Sequence, residues 1–214
     1  MDDARDERRG SVTPARVVVV FAVLLGVTGL GWYGWTTLDE KGVDGVKAAV
    51  RDYMAAQRVR QHAEVLAIAS EESGVDPYLL AGMMVAESSG RVDAVSAKGA
   101  LGLFQLATVT AEWRAEKLGL PKPTREDLLS DPLLNARLGA DNMAWLLDTY
   151  DGDVVRALCA YNAGARKLKN LSDAVGGWEA WRSERERSGN SEILSYAHRV
   201  LGYRDEFREQ GLFD

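Results

Sequence analysis

One cysteine in 214 residues rules out an intrachain disulfide, so packing alone must hold whatever fold this chain adopts. Cys159 sits in the apolar run Ala157-Leu158-Cys159-Ala160, where a small buried hydrophobe is the expected role, and it lies too far along the chain to be a lipoprotein cysteine. Basic excess is lacking too. The formal net charge is -6, and the first 16 residues cancel, with Arg5, Arg8, Arg9 and Arg16 against Asp2, Asp3, Asp6 and Glu7. A nucleic-acid surface needs clustered Lys and Arg to displace counterions, and no such stripe occurs, so nucleic acid is excluded as a partner. Histidine is scarce: His62 and His198 stand apart and form no ligand pair, and Asp148, Asp151 and Asp153 lack calcium-loop spacing, so no metal or cofactor is expected. Alternation of β-branched residues is nearly absent outside the N-terminal segment, which leaves little room for strands.

Long apolar runs are present once. From Val17 to Leu38 no residue is charged, and a helix rising about 1.5 Å per residue would cross ~30 Å of hydrocarbon over that length. Trp32, Tyr33 and Trp35 cluster at its far end, where amphipathic rings suit an interface. Four arginines precede the run, and only Lys41, Lys47 and Arg51 follow closely, which sets the N-terminus in the cytoplasm and the rest outside. A cleaved signal peptide is the rival, but the run is long and has no convincing cleavage site. Gly29, Gly31 and Gly34 spell a dinucleotide fingerprint without its strand and helix, and the match is accidental.

The expected organisation is therefore a cytoplasmic tail over 1–16, a transmembrane helix over 17–38, a stalk or adapter over 39–60 and one catalytic domain over 61–214. The stretch from Val43 to about Ser70 is Ala-rich with no proline and predicts one or two helices. Beyond it, Gly74 ends a helix, Asp76-Pro77 and Asp131-Pro132 each supply an N-cap followed by proline, and Thr108 and Asp153 are further caps. These signals predict helices near 77–89, 108–118, 132–149, 154–163 and 190–203, with the charge run Arg182 to Arg187 as a solvated face or loop.

On the helix opened by Asp76, Leu80, Met83, Met84 and Glu87 share one face. A carboxylate that ends an apolar stripe loses hydration, and in a helix's last turn it also meets the negative end of the dipole. Both effects raise its pKa toward what a general acid near neutral pH requires. The competing reading is a glutamate that snorkels out at a frayed end. Downstream lies a polar, Gly-rich loop whose backbone can approach a ligand closely.

Glu87-Ser88-Ser89-Gly90, Ser96, Gly99-Ala100-Leu101-Gly102-Leu103-Phe104-Gln105 and Ala160-Tyr161-Asn162-Ala163-Gly164, taken in order, resemble the soluble lytic transglycosylase family. Gly74-Val75-Asp76-Pro77, Asn135 with Gly139, and Glu192 with Tyr196 extend the likeness over roughly residues 60 to 203. The resemblance implies an all-α, lysozyme-like domain with a small Gly-rich loop or hairpin, acting on the glycan strands of peptidoglycan, and the apolar run would tether it to the bacterial inner membrane. It implies that Glu87 is the acid and then the base, and that Ser96, Phe104, Gln105, Tyr161, Asn162, Glu192 and Tyr196 contact sugar or line the cleft, with Tyr196 near the acid. It also implies that the muramyl–glucosaminyl bond is cleaved to a 1,6-anhydro product without metal or cofactor. Phe104 replaces the family's usual Met, Val92-Asp93 stands where Asn-Pro is frequent, and Ile193 stands where Thr is usual.

Each secondary residue also has an ordinary structural reading. Tyr161 and Tyr196 could be core tyrosines, Ser96 and Asn162 turn or capping groups, and Gln105 a brace for the loop backbone. Two other functions fit the same motifs: a goose-type lysozyme with Asp93 as its base, and a membrane-tethered peptidoglycan-binding protein without turnover.

Overall fold

The structure is a computed structural model that describes residues 31–214, with side chains from residue 45 onward. Its contacts divide the chain into two units, Met1–Tyr53 and Met54–Asp214. The first unit's described part belongs to helix α1 (Gly31–Gln61). Among the described residues no helix is long and apolar enough to cross a membrane, and residues 17–30 of the expected span lie outside them.

In the second unit come α2 (Ala63–Ser73) and α3 (Pro77–Ser88), then the long Gly-rich loop over 89–107, then α4 (Thr108–Lys117), α5 (Arg125–Ser130) and α6 (Pro132–Thr149). Then follow α7 (Val154–Ala163), α8 (Ala165–Asp173), α9 (Trp178–Ser188) and α10 (Glu192–Glu209). No strand forms among the described residues; isolated antiparallel bridges pair Val95 with Leu101 and Leu101 with Leu106 inside the Gly-rich loop.

Caps set the boundaries as their chemistry requires. Asp76, Asp131 and Asp153 each accept a backbone N–H of the first turn, at 3.1, 2.9 and 2.9 Å. Thr108 is not a cap: Ala107 holds that position with no side-chain bond, and the helix starts at Thr108. Three helices went unread in the sequence. The short α5 opens with a reciprocal capping box between Thr124 and Asp127. Helix α8 starts one residue after Gly164 ends α7, so two helices share a single hinge residue. Helix α9 carries the charge run Arg182 to Arg187; it is a helix because Trp178 and Trp181 bury one side and stack 5.5 Å apart, while Arg182 and Glu186 pair on the other.

Helix α3 lies at the centre. Leu79 through Val85 are all buried, so the expected stripe is an apolar surface on every side, as a core helix requires. Helix α10 packs along it. Gly82 sets their spacing: a Cβ built there would stand 2.4 Å from the Val200 carbonyl oxygen. The Gly-rich loop is fixed from α6 by buried Asn135, whose Nδ2 donates to the Leu101 and Leu128 carbonyls at 3.1 and 3.0 Å while Oδ1 accepts the Phe104 N–H at 2.9 Å. A neutral amide that uses both donors and its acceptor in this way leaves no buried polar atom unpaired.

Candidate active site

Glu87 occupies the penultimate position of α3, where the helix begins to emerge from the core. Around it the chain end is tied down: Ser88 turns inward to donate to the Met84 carbonyl at 3.2 Å, Arg91 donates to the Ser88 carbonyl at 3.2 Å, and Arg58 donates to the Ser89 carbonyl at 3.3 Å. Ser89 adopts the left-handed conformation that closes the helix. The glutamate is thus half-buried on a rigid platform and does not snorkel from a frayed end.

Its carboxyl is pushed up to about 7 by burial, against smaller downward pulls from the Tyr196 hydroxyl and the Arg199 charge. Tyr196, buried on α10, donates its hydroxyl to Glu87 Oε1 at 2.6 Å. Tyr161, on α7, donates to the Phe104 carbonyl at 2.9 Å, and the Glu87 charge adds to burial in holding both phenols well above their usual pKa. Three helices distant in sequence therefore converge on one carboxyl. A group with pKa near 7 keeps a useful fraction of both its acid and its anion at neutral pH, the condition for giving a proton in one step and taking one in the next.

The other expected residues are placed unevenly. Gln105 has a left-handed backbone, and both donor bonds of its amide go to the loop, to the Ala94 and Gly102 carbonyls at 3.1 and 3.0 Å. Only its amide oxygen is left for a ligand. Ser96 Oγ accepts the Ala100 N–H at 3.0 Å, which leaves its hydroxyl hydrogen. Both side chains thus brace the loop and retain one polar atom each. Asn162 and Glu192 are exposed and lie outside the Glu87 hydrogen-bond cluster, and Asp93 is exposed on the loop after α3.

Phe104 is a correction. Its ring is fully buried and packs on Gly139, where a Cβ would come within 2.5 Å of the ring, so no face is presented to a sugar. The aromatic side chain wedges the loop onto α6, and only its backbone carbonyl serves the site, by holding Tyr161. Arg199 escaped the sequence reading; its signal was its position three residues after Tyr196, on the same helical face.

Comparison with known proteins bears directly on this arrangement. The family described as transglycosylase SLT domain matches residues 60–182, more than half of the chain. The chain belongs to this family. The match takes in Glu87, the Gly-rich loop and Tyr161, and ends before Tyr196, whose place in the SLT-domain site comes from the 2.6 Å hydrogen bond. A transglycosylase of Enterobacteria phage PRD1 is 38% identical over 104 residues, covering 49% of this chain and 35% of the relative. Membrane-bound lytic murein transglycosylase C of Edwardsiella ictaluri is 27% identical over 172 residues, covering 71% of this chain and 48% of the relative. The chain thus spans less than half the length of either relative. An inactive mutant of the lytic transglycosylase Slt from Pseudomonas aeruginosa superimposes with a TM-score of 0.63 at 24% identity, covering 92% of this chain and 30% of that one, which establishes the shared helical fold.

The Glu87–Tyr196 bond yields a measurable expectation for this SLT domain. In Tyr196→Phe the Glu87 anion loses a donor worth roughly 1.5–3 kcal/mol, so kcat should fall about 10- to 100-fold. The same loss removes a downward pull on the carboxyl, so the alkaline limb of the pH–rate profile should move up. A fall in rate with an unmoved limb would mean that Tyr196 only packs.

Proposed function

We propose that this chain is a peptidoglycan lytic transglycosylase that cleaves the β-1,4 bond between N-acetylmuramic acid and N-acetylglucosamine, with Glu87 as acid and then base. The observation that carries the reading is the half-buried carboxyl, raised to about 7 and held by Tyr196 at 2.6 Å at the end of the central helix. Protonated Glu87 gives its proton to the glycosidic oxygen, the C1–O bond breaks, and the muramyl N-acetyl oxygen supports the anomeric carbon. The carboxylate, stabilised by the Tyr196 hydroxyl, then accepts the proton of the muramyl 6-hydroxyl as that oxygen bonds to C1. A 1,6-anhydro ring closes, Glu87 is protonated again, and no water is consumed. Attack from within the same sugar needs no second carboxylate, because the intramolecular hydroxyl has a high effective concentration.

Substrate contacts fall to the Ser96 hydroxyl, the Gln105 amide oxygen, Tyr161, Asn162, Glu192 and Tyr196, polar groups suited to a neutral sugar backbone. Phe104 contributes by wedging the loop. The apolar run 17–38 serves as a single-pass anchor in the inner membrane, with residues 1–16 in the cytoplasm, a stalk over 39–60 and the catalytic domain over 61–214 outside; the charge asymmetry and the likeness to a membrane-bound relative support this.

Mass spectrometry of fragments released from purified sacculi tests the reaction directly. Muropeptides with 1,6-anhydro ends are expected. Reducing ends would assign a water-using hydrolase instead, and absence of release would leave a binding protein.

A further inference from the structure

The last two turns of α1 belong to the domain core. Ala55 and Val59 are buried there, and Arg58 between them reaches the chain that follows the proposed acid. Its Nη1 donates to the Ser89 carbonyl at 3.3 Å, at the C-terminus of α3. A carbonyl at that end has no partner within the helix and carries the negative end of the dipole, so a guanidinium suits it.

The next residue is gripped as closely. Gly90 has a left-handed backbone, φ +72°, and a Cβ built on it would stand 2.7 Å from Arg58 Cβ and 3.2 Å from the Val59 amide nitrogen. Only glycine lets the two chains meet at that distance. The His62 imidazole, half-buried just beyond α1, meets the same backbone: burial lowers its pKa, and a hydrogen bond with the Gly90 backbone opposes the fall.

Glu87 lies two residues before Ser89, so the turn that carries it is held by α1, while Tyr196 of α10 holds the carboxyl itself. The two supports differ in kind. Tyr196 and Arg199 of α10 act on the charge of Glu87, and Tyr161 of α7 lies within its field. Arg58 instead bonds a main-chain oxygen, so it fixes where the helix end sits and thereby how much of Glu87 stays out of water.

We propose that the last turn of α1 is a clamp for catalysis, with Arg58 as a positioning residue that aims Glu87 through Ser89 and Gly90. The inference rests on the function proposed above and extends its machinery into residues 58–60 of the expected stalk.

The test uses the full 214-residue chain acting on purified sacculi, assayed well below the melting temperature of each variant. Arg58→Met keeps the packed stem and deletes the donor. Its kcat should fall roughly 5- to 30-fold, less than the ~10²-fold that a misplacement near 1 Å can cost, with KM within about twofold of wild type. The alkaline limb of its pH–rate profile should move to lower pH, because a loosened helix end admits water and relieves the burial that raises the Glu87 carboxyl. That shift is opposite in sign to the one expected of Tyr196→Phe. Arg58→Lys should recover most of the rate, since the bond uses one guanidinium nitrogen and an ammonium supplies such a donor. Gly90→Ala, which forces the same two chains apart, should lower kcat and move the limb in the same direction as Arg58→Met. Arg60→Ala is the control: exposed two residues on and bonded to Gln210, it should change neither kcat nor the limb.

An unchanged kcat and limb in Arg58→Met, even with a lower Tm, would overturn the proposal, because the residue would then only hold the fold. So would a kcat that Arg58→Lys fails to restore, a limb that moves up in Gly90→Ala, or an equal loss in Arg60→Ala, which would assign the effect to surface charge. Wild type that leaves sacculi intact would remove the proposed function, whereas an active wild type with an indifferent Arg58 would remove this inference alone.

Discussion

Turnover of sacculi by Glu87→Gln should fall by roughly 10²- to 10⁴-fold, the range associated with loss of a positioned general acid, while glycan binding persists. Glutamine keeps the shape and still accepts from Tyr196, but its amide N–H is far too weak an acid to protonate the glycosidic oxygen. Wild type should also lose activity as pH rises through about 7, where the carboxyl ionises, at up to about tenfold per pH unit. A variant with wild-type turnover would remove Glu87 from the reaction.

The same substitution should change stability in the opposite direction. The folded pKa of about 7 lies above the ordinary glutamate value of 4.5, so the native state holds a proton that the unfolded chain has released. Whatever stability the group contributes is fully present below pH 4.5 and is lost as pH rises to 7, because unfolding then releases a proton. Above pH 7 the buried anion is a standing cost on the order of 2–3 kcal/mol. Glu87→Gln carries no such cost. It should therefore denature at a higher temperature than wild type at pH 8 and at about the same temperature at pH 4. Coincident melting curves at pH 8 would mean that the carboxyl is not desolvated.

Gly82→Ala should be strongly damaging to the packing of α3 on α10. The new Cβ would sit 2.4 Å from the Val200 carbonyl oxygen and 3.0 Å from the Arg204 amide nitrogen, and both are backbone atoms of a helix that cannot swing aside. Alanine favours helix over glycine by about 1 kcal/mol, but overpacking at a close crossing costs about 1–3 kcal/mol or more and dominates here. The net loss should lower Tm by several degrees, at about 2–4 °C per kcal/mol for a domain of this size. Activity should fall further than stability alone explains. Glu87 lies five residues after Gly82 and Tyr196 four before Val200, so parting the helices stretches the 2.6 Å bond. A misplacement near 1 Å can cost about 10²-fold in rate. Gly202→Ala is the control: on the same α10, nothing lies within 4 Å of its Cβ, and the substitution should stabilise. Equal effects of the two substitutions would show that α3 and α10 do not cross closely at Gly82.

Much of the helical framework could be read from capping chemistry. Asp76-Pro77, Asp131-Pro132 and Asp153 each act within four residues of themselves, and the helices they open begin where local chemistry places them. Thr124-x-x-Asp127 carried the same kind of signal and was overlooked. The charge run Arg182 to Arg187 is a solvated face, one of its two sequence readings, but charge describes only the exposed side of α9, whereas the two tryptophans that make it a packed helix lie at its start. Phe104 misled. An aromatic in a ligand-facing motif suggests stacking on a sugar, and nothing nearby in sequence reveals that Gly139, 35 positions away, leaves a ring-sized space.

What the amino-acid order determined unaided was where the strongly capped helices open and which residue types could do chemistry, since caps and prolines act through a few neighbouring atoms. A carboxylate at the end of an apolar helix was visible in that way. Tertiary structure alone decided that Tyr196 and Tyr161 reach it, that Arg199 acts on its charge, that Gln105 and Ser96 spend most of their polar atoms on the loop, and that Phe104 faces inward. The physical reason is that desolvation and hydrogen bonding at Glu87 depend on atoms brought together across more than 100 residues of chain, and only packed helices supply that proximity.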